Sequence, residues 1–271
     1  MLWDDPDGGR IVLHGVLPTT VYPQSLRPRI EWHALALLEG PEIEDVWQLE
    51  EASEKESAGI NLASALLGGG LDSALIEDLI QLDEIQTGRF PDPEPRRLHR
   101  LALRHQRPVY CIEPTLDDQA WEEQRTQEAK VSTHWRKLLS MVRIGKKWRK
   151  AVKQRIFDAV PPPKNVPKDM ATASVLSAAW WDLMESRINA SLSKARDERF
   201  AQRLRGARSR PPLLCFRREE TERIPDHGAR ALIKQHIAIV LMGKYLRVVL
   251  IGYHQVLAGI VDALTKSKVD F

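Results

Sequence analysis

Four short apolar runs of this chain end beside an ionisable group: His14 before Gly15, Glu39 before Gly40, Glu113 before Pro114, and Tyr253 with His254 after Gly252. Two carboxylates and one or two imidazoles gathered in one place suit two kinds of chemistry. They could bind a divalent cation, or serve as an acid and base pair for hydrolysis. The competing reading is structural, since the ends of strands in any α/β domain meet solvent and polar side chains are expected there. A shared site requires the four strands to be parallel neighbours, because open α/β sheets bind ligands beyond the carboxyl ends of their strands.

The elements that must position these groups follow from the runs themselves. Residues 10–15, 34–40, 108–114 and 246–252 are each apolar, rich in aliphatic side chains and bounded by Gly, Pro or charge. Runs of this length read as buried strands, and runs without alternation imply burial on both faces, the pattern of a parallel sheet covered by helices. The connections read as helical. Ser25 to Trp32 predicts a short helix limited by Pro23 and Pro28, and Ile60 to Leu67 a helix stopped by Gly68-Gly69-Gly70, with Asp72 or Ser73 capping the next. Arg96 to His105 reads as a basic helix with solvated His99 and His105. After Pro161-Pro162-Pro163, Leu176, Trp180, Met184, Ile188 and Leu192 recur every four residues, and Phe200 and Leu204 extend that helix toward Gly206. Ala229 to Tyr245 predicts another helix. The expected fold is α/β: a mostly parallel sheet with helices on both faces, in a single domain over residues 1–271, carrying a largely helical insertion at about 116–210.

With the elements in this order, the chain resembles the TraB/PrgY group, related to the Tiki, GumN and erythromycin-esterase-like proteins. Its first run is similar to that family's opening strand, which ends in Gly-x-x-His, and Leu37-Leu38-Glu39 to the family's strand ending in Glu. The segment Arg196-Asp197-Glu198-Arg199-Phe200-Ala201-Gln202-Arg203-Leu204 resembles the family helix Glu-Arg-Asp-x-x-Met-Ala-x-x-Leu, with Ala195 in place of the Glu and Phe200 in place of the Met. Downstream, Tyr253-His254 and Gly259-Ile260 match the last Gly-x-x-His and Gly-Ile, with Gly252 displaced by one position. The resemblance spans about residues 10 to 265. It implies metal-dependent peptidase or related hydrolase activity, as in some members, or regulation of conjugation or pheromone signalling, as in others.

On that resemblance, Glu39 and His254 are the metal ligands, or the base and its orienting group. Glu113 is a second carboxylate, and Arg196 is a cation that pairs with Glu39 or Glu113 or stabilises an oxyanion. The first motif departs from the family: it reads Gly15-Val16-Leu17-Pro18, and Pro18 cannot ligate a metal. His14 lies four residues away, about 13 Å along an extended chain, too far for an easy replacement. A catalytic transition metal usually takes three protein ligands. The expectation is therefore a divalent metal bound weakly or not at all, in a degenerate hydrolase or in a non-catalytic module of the same fold that binds a peptide or protein.

Composition narrows the classes without choosing among them. A chain of 271 residues, 43% hydrophobic and 28% charged, is neither a disordered tail nor a fibre. Lys244 and Arg247 interrupt the apolar C-terminal region, so no membrane span is expected, and Asp4, Asp5 and Asp7 stand where a signal peptide needs basic and apolar residues, which predicts a cytoplasmic protein. Cys111 and Cys215 are too few for a disulfide scaffold. Charge is segregated: residues 39–88 hold thirteen Asp and Glu against Lys55, whereas residues 129–157 hold ten Lys and Arg and no acid. Trp135 and Trp148 among those cations suit a nucleic-acid or membrane surface. The preferred reading is an amphipathic helix with a solvated cationic face, since Trp135, Leu138, Leu139, Val142, Ala151 and Val152 fall at roughly helical spacing, which argues against nucleic acid as a partner. Gly68-Gly69-Gly70-Leu71-Asp72-Ser73 lacks the Gly-Lys-Ser/Thr of a phosphate loop, and Trp180-Trp181 reads as core.

Overall fold

A computed structural model describes residues 2–4, 10–27, 32–115, 117–135, 143–209 and 238–239. Two strands, β1 (Leu2–Asp4) and β2 (Arg10–Val12), pair antiparallel, with Leu2 opposite Val12 and Asp4 opposite Arg10. A separate sheet has β3 (Leu35–Leu37) at its centre, flanked by β4 (Val109–Cys111) and β5 (Ala238–Ile239). Both pairings are parallel, with Leu35 beside Val109 and Ala238, and Leu37 beside Cys111.

Helices form the bulk of the described residues. In chain order they are α1 (Ile43–Glu56), α2 (Ile60–Leu67), α3 (Gly70–Leu79), α4 (Pro93–Arg104), α5 (Gln119–Ser132), α6 (Ile144–Asp158), α7 (Lys168–Glu185) and α8 (Ala190–Ser209). Among the described residues no helix is long and apolar enough to cross a membrane.

The expected fold, a mostly parallel sheet with helices on both faces, is therefore corrected: among the described residues the architecture is mostly helical, and the parallel sheet is small. The cause lies in what an apolar run reports. Leu13 is buried, as the run predicts, and so are Val16 and Leu17 just past the run, but all three lie beyond the last paired residue of β2 in irregular chain. Continuous apolarity signals burial and leaves the length of the hydrogen-bonded ladder open. The run 246–252, with Gly252, lies outside the described residues. Ala238–Ile239, predicted as helix, is instead the edge strand β5.

Local chemistry accounts for the remaining boundaries. α2 ends at Leu67, where Gly68 follows and Gly69 and Gly70 take φ of +68° and +80°, the left-handed region that glycine enters without steric cost. α3 starts at Gly70, so Asp72 is helical and not a cap. α4 starts at Pro93, whose missing N–H costs nothing in a first turn. Of the helix expected from Ser25 to Trp32, the described residues show the 3-10 turn Gln24–Leu26, and residues 28–31 lie outside the described residues. The long helix expected from Leu176 to Leu204 is interrupted: residues 186–189 turn the chain, Ser186 N–H bonds back to Asp182 C=O, and Asn189 C=O accepts from Leu192 and Ser193. A four-residue spacing survives such a turn because each helix keeps its own period. α6 and α3 both pack on α7, and α8 packs against α5. The core joins the sheet to these layers, with Leu35, Ala36 and Leu37 fully buried, together with Leu75, Leu98 and Phe200.

Candidate functional site

The carboxyl edge of the sheet follows from the β3–β4 register. Beyond the strands, Ile112 N–H donates to Leu37 C=O at 2.8 Å and Glu113 N–H to Glu39 C=O at 3.2 Å, so Glu39 and Glu113 leave the sheet side by side at one edge. Both are half-buried. A guanidinium closes this edge, and it belongs to Arg203 of α8: its Nε donates to Ile112 C=O at 2.6 Å, and its Nη2 to Cys111 C=O at 3.2 Å and Glu113 C=O at 3.5 Å. Strand-end carbonyls have no further ladder partner, and a charged donor satisfies several of them at once.

Arg196 lies elsewhere, which corrects its expected pairing with Glu39 or Glu113. It is 1% exposed, with Nη2 donating to Glu185 Oε1 at 2.7 Å and to Ser193 Oγ at 3.0 Å. Glu128 is 3.7 Å from Nη1 and Asp197 is 3.8 Å from Nε. The Ser193 hydroxyl donates to the second Glu185 oxygen, and the guanidinium carbon stands 5.8 Å from the centre of the Trp181 ring. Three carboxylates around one guanidinium leave an excess of negative charge. Burial pushes the Asp197 carboxyl up to about 7 against the pull of Arg196, and burial also raises that of Glu128.

This cluster abuts a cavity of about 360 Å³. Trp180, Trp181, Met184 and Ile188 form one wall, Leu75 and Ile76 of α3 a second, and Phe90 with the Pro18–Thr19 turn a third. Glu185 and Asp72 also line it. Asp72 Oδ1 accepts the indole N–H of Trp180 at 2.9 Å, which fixes that ring, and among the described residues no lining side chain is basic. Trp180-Trp181, read from the sequence as core, is buried and also walls this space. Glu128, Glu185, Asp197 and Arg203 were missed in the sequence. An available signal was the face of α8, where Arg196, Arg199 and Arg203 recur at helical spacing.

His14 belongs to a third locale. Its Nε2 lies 3.8 Å from Oε1 of Glu94, the second residue of α4, which is fully buried. Arg97 donates to both Glu94 oxygens, at 2.6 and 3.1 Å, and Arg27 Nε lies 3.4 Å away. Burial pushes the Glu94 carboxyl up, but His14, Arg97 and Arg27 outweigh it and hold the group below the usual range. The Tyr22 ring packs edge-on against His14, its hydroxyl donating to Gly15 C=O at 3.1 Å. His99, expected in solvent, is buried with its ring 5.4 Å from that of Trp47.

His254 lies outside the described residues. Among the described residues, no group of three His, Cys, Asp or Glu side chains is placed to hold a metal ion, so Glu39 and Glu113 alone do not make a metal centre. The basic segment is also reassigned in detail. Trp148 is buried and donates its indole N–H to Asp78 Oδ2 at 2.7 Å, which takes it out of any stacking role. Trp135 is exposed. No family model matches the chain, and no curated protein or solved structure is similar to it.

Proposed function

We propose that this chain is a TraB-like protein that acts by binding, taking an apolar side chain of a peptide or protein into the cavity beside α7. The observation that supports this reading is the cavity itself: its volume of about 360 Å³ lies in the range of small-ligand sites, and its aromatic and aliphatic walls carry only a few polar groups. Asp72 and Glu185 at the wall, with no basic lining residue among the described residues, disfavour anionic partners. Ala65→Trp tests the reading by filling the space from α2, where the native side chain contributes only a methyl group. Peptides carrying a Leu, Met or Phe side chain are titrated against the whole protein while the emission of Trp180 and Trp181 is followed. Saturable binding that A65W abolishes, with its circular dichroism unchanged, supports the reading. Binding of equal strength in wild type and A65W sinks it.

The second reading is a metal-dependent hydrolase, supported by the placement of Glu39 and Glu113 at adjoining ends of parallel strands. Its test is elemental analysis for Mn, Co and Zn after dialysis, repeated on His254→Ala. Roughly stoichiometric metal that disappears in H254A favours the hydrolase; metal absent from both proteins excludes His254 and Glu39 as its ligands.

A further inference from the structure

Two polar contacts fix which way α6 faces. Near its start Trp148 bonds to Asp78 of α3, and near its end Arg155 pairs with Asp182 of α7 at 2.5 Å. The opposite side of the helix must then point to solvent. Lys146, Lys150, Lys153 and Phe157 occupy it at spacings of four, three and four residues, a stripe about 16 Å long at 1.5 Å per residue. All four are exposed, Phe157 at 85%, and Lys147 and Arg149 flank the stripe. Among the described residues none of the lysines at 146, 147, 150 and 153 forms an ion pair, and Asp158, the one acid of the helix, is held by Gln154.

The apolar residues of this surface collect at one end. Ile156, Phe157 and, just past the helix, Val160 are all more than half exposed. Exposed large apolar groups gathered in one place and rimmed by cations mark an interaction surface. A single-stranded nucleic-acid surface stacks bases on rings interleaved with the cations, whereas on this helix Trp148 is turned inward and Phe157 stands past the last lysine, beside Ile156 and Val160. A bilayer surface needs cations at headgroup level and apolar side chains a few ångströms deeper at one end, which is the order along this stripe.

We propose that α6 docks the protein on an anionic lipid surface, with Lys146, Lys150 and Lys153 on headgroup phosphates and Phe157, Ile156 and Val160 at the acyl boundary. This is attachment to a surface, and it is independent of what the cavity binds. The test is co-sedimentation of the full chain with vesicles of phosphatidylcholine alone and of phosphatidylcholine mixed with phosphatidylserine. Binding is expected only to the mixed vesicles and is expected to weaken as salt is raised. The variant K146Q/K150Q/K153Q should bind roughly 100-fold more weakly, at about fivefold per lysine. F157S, which keeps every positive charge, should lose about tenfold. All four positions are exposed, and unchanged circular dichroism of the variants confirms that the fold is kept. The proposal is overturned if wild type fails to sediment with the mixed vesicles, or if either variant binds as wild type does. It is also overturned if duplex DNA or RNA competes the vesicles away and F157S leaves nucleic-acid binding intact, which would make the stripe a phosphate-backbone surface.

Discussion

Replacing Arg196 by Met separates two accounts of the same residue. An arginine on a solvated helix, or one reaching into an open crevice, contributes about 0 to 1 kcal/mol through its ion pairs. The structure places this one at 1% exposure among Glu185, Glu128 and Asp197, with Ser193 Oγ accepting a further hydrogen bond from Nη2. Methionine keeps the apolar volume of the side-chain stem but removes the cation, leaving three carboxylates facing one another with little water. Breaking a buried pair by deleting one partner costs about 3–5 kcal/mol. At roughly 2–4 °C per kcal/mol for a chain of this size, the melting temperature should fall by about 10 °C.

The assay is urea unfolding of wild type and R196M, read by tryptophan emission and by circular dichroism. The midpoint should move while the slope is unchanged. Two controls tie the loss to charge. Without the guanidinium the carboxylates resist ionisation, so the deficit should be smaller at pH 5 than at pH 8. The double variant E185Q/R196M removes one stranded charge and should recover at least about 1 kcal/mol of the loss. A deficit below about 1 kcal/mol for R196M, equal at both pH values, would refute the reasoning and return Arg196 to the role of an exposed or crevice cation.

Two further predictions concern pH. Burial lifts the Asp197 carboxyl from 3.8 to about 7, so the native state holds a proton that the unfolded chain has released across that window, and its contribution to stability is lost as pH rises from about 4 through 7. Asp197→Asn should flatten this decline, making the variant more stable than wild type at pH 8 relative to pH 5 in paired urea titrations; an identical slope in both proteins rejects the assignment. Glu94 has the opposite sign. Its carboxyl is held below the ordinary value, so its contribution is present above about pH 4.5 and lost as pH falls through its depressed value. Glu94→Gln should cost about 3 kcal/mol at pH 7, because it leaves the cations of Arg27 and Arg97 without their buried partner, and the gap to wild type should close in acid. Thermal melts from pH 7 down to pH 3 check this, and a gap that stays constant rejects it.

Much of the local grammar could be read from the sequence, and the larger architecture could not. The stop after Leu67 was visible because three glycines end any helix, and the burial of Trp180 and Trp181 because their apolar neighbours recur at helical spacing. Glu39 and Glu113 sit together because two aliphatic runs of similar length pair in parallel and stop at the same register, a relation that each run signals by ending in a carboxylate before Gly or Pro. The size of the sheet was overestimated, since irregular chain that buries Leu13, Val16 and Leu17 has the same apolar composition as a buried strand. Buried charges were missed for a related reason. Hydropathy places Glu94, Glu128 and Arg196 on the surface, and only partners distant in sequence, such as Arg27 for Glu94 and Glu128 for Arg196, make their burial tolerable.

The helix on which the expected TraB-like motif falls shows how a spacing and a role can part. On α8, Arg196, Arg199 and Arg203 lie on one side at spacings of three and four, and each guanidinium is committed to a different neighbour. Arg196 neutralises Glu185 beneath the cavity. Arg199 binds both oxygens of Asp118 at 2.6 Å, the residue that caps α5 by accepting Trp121 N–H at 3.0 Å. Arg203 takes the carbonyls at the end of β4. Between them, Phe200, Ala201 and Leu204 fill the core. The same face thus ties a helix cap, a sheet edge and a buried acidic cluster to one rigid rod. An Arg-x-x-Arg-x-x-x-Arg spacing over a small sheet is therefore sufficiently explained by packing and capping. If the carboxyl edge does chemistry, its evidence must come from Glu39 and Glu113, because Arg196, Arg199 and Arg203 are already spoken for by the fold.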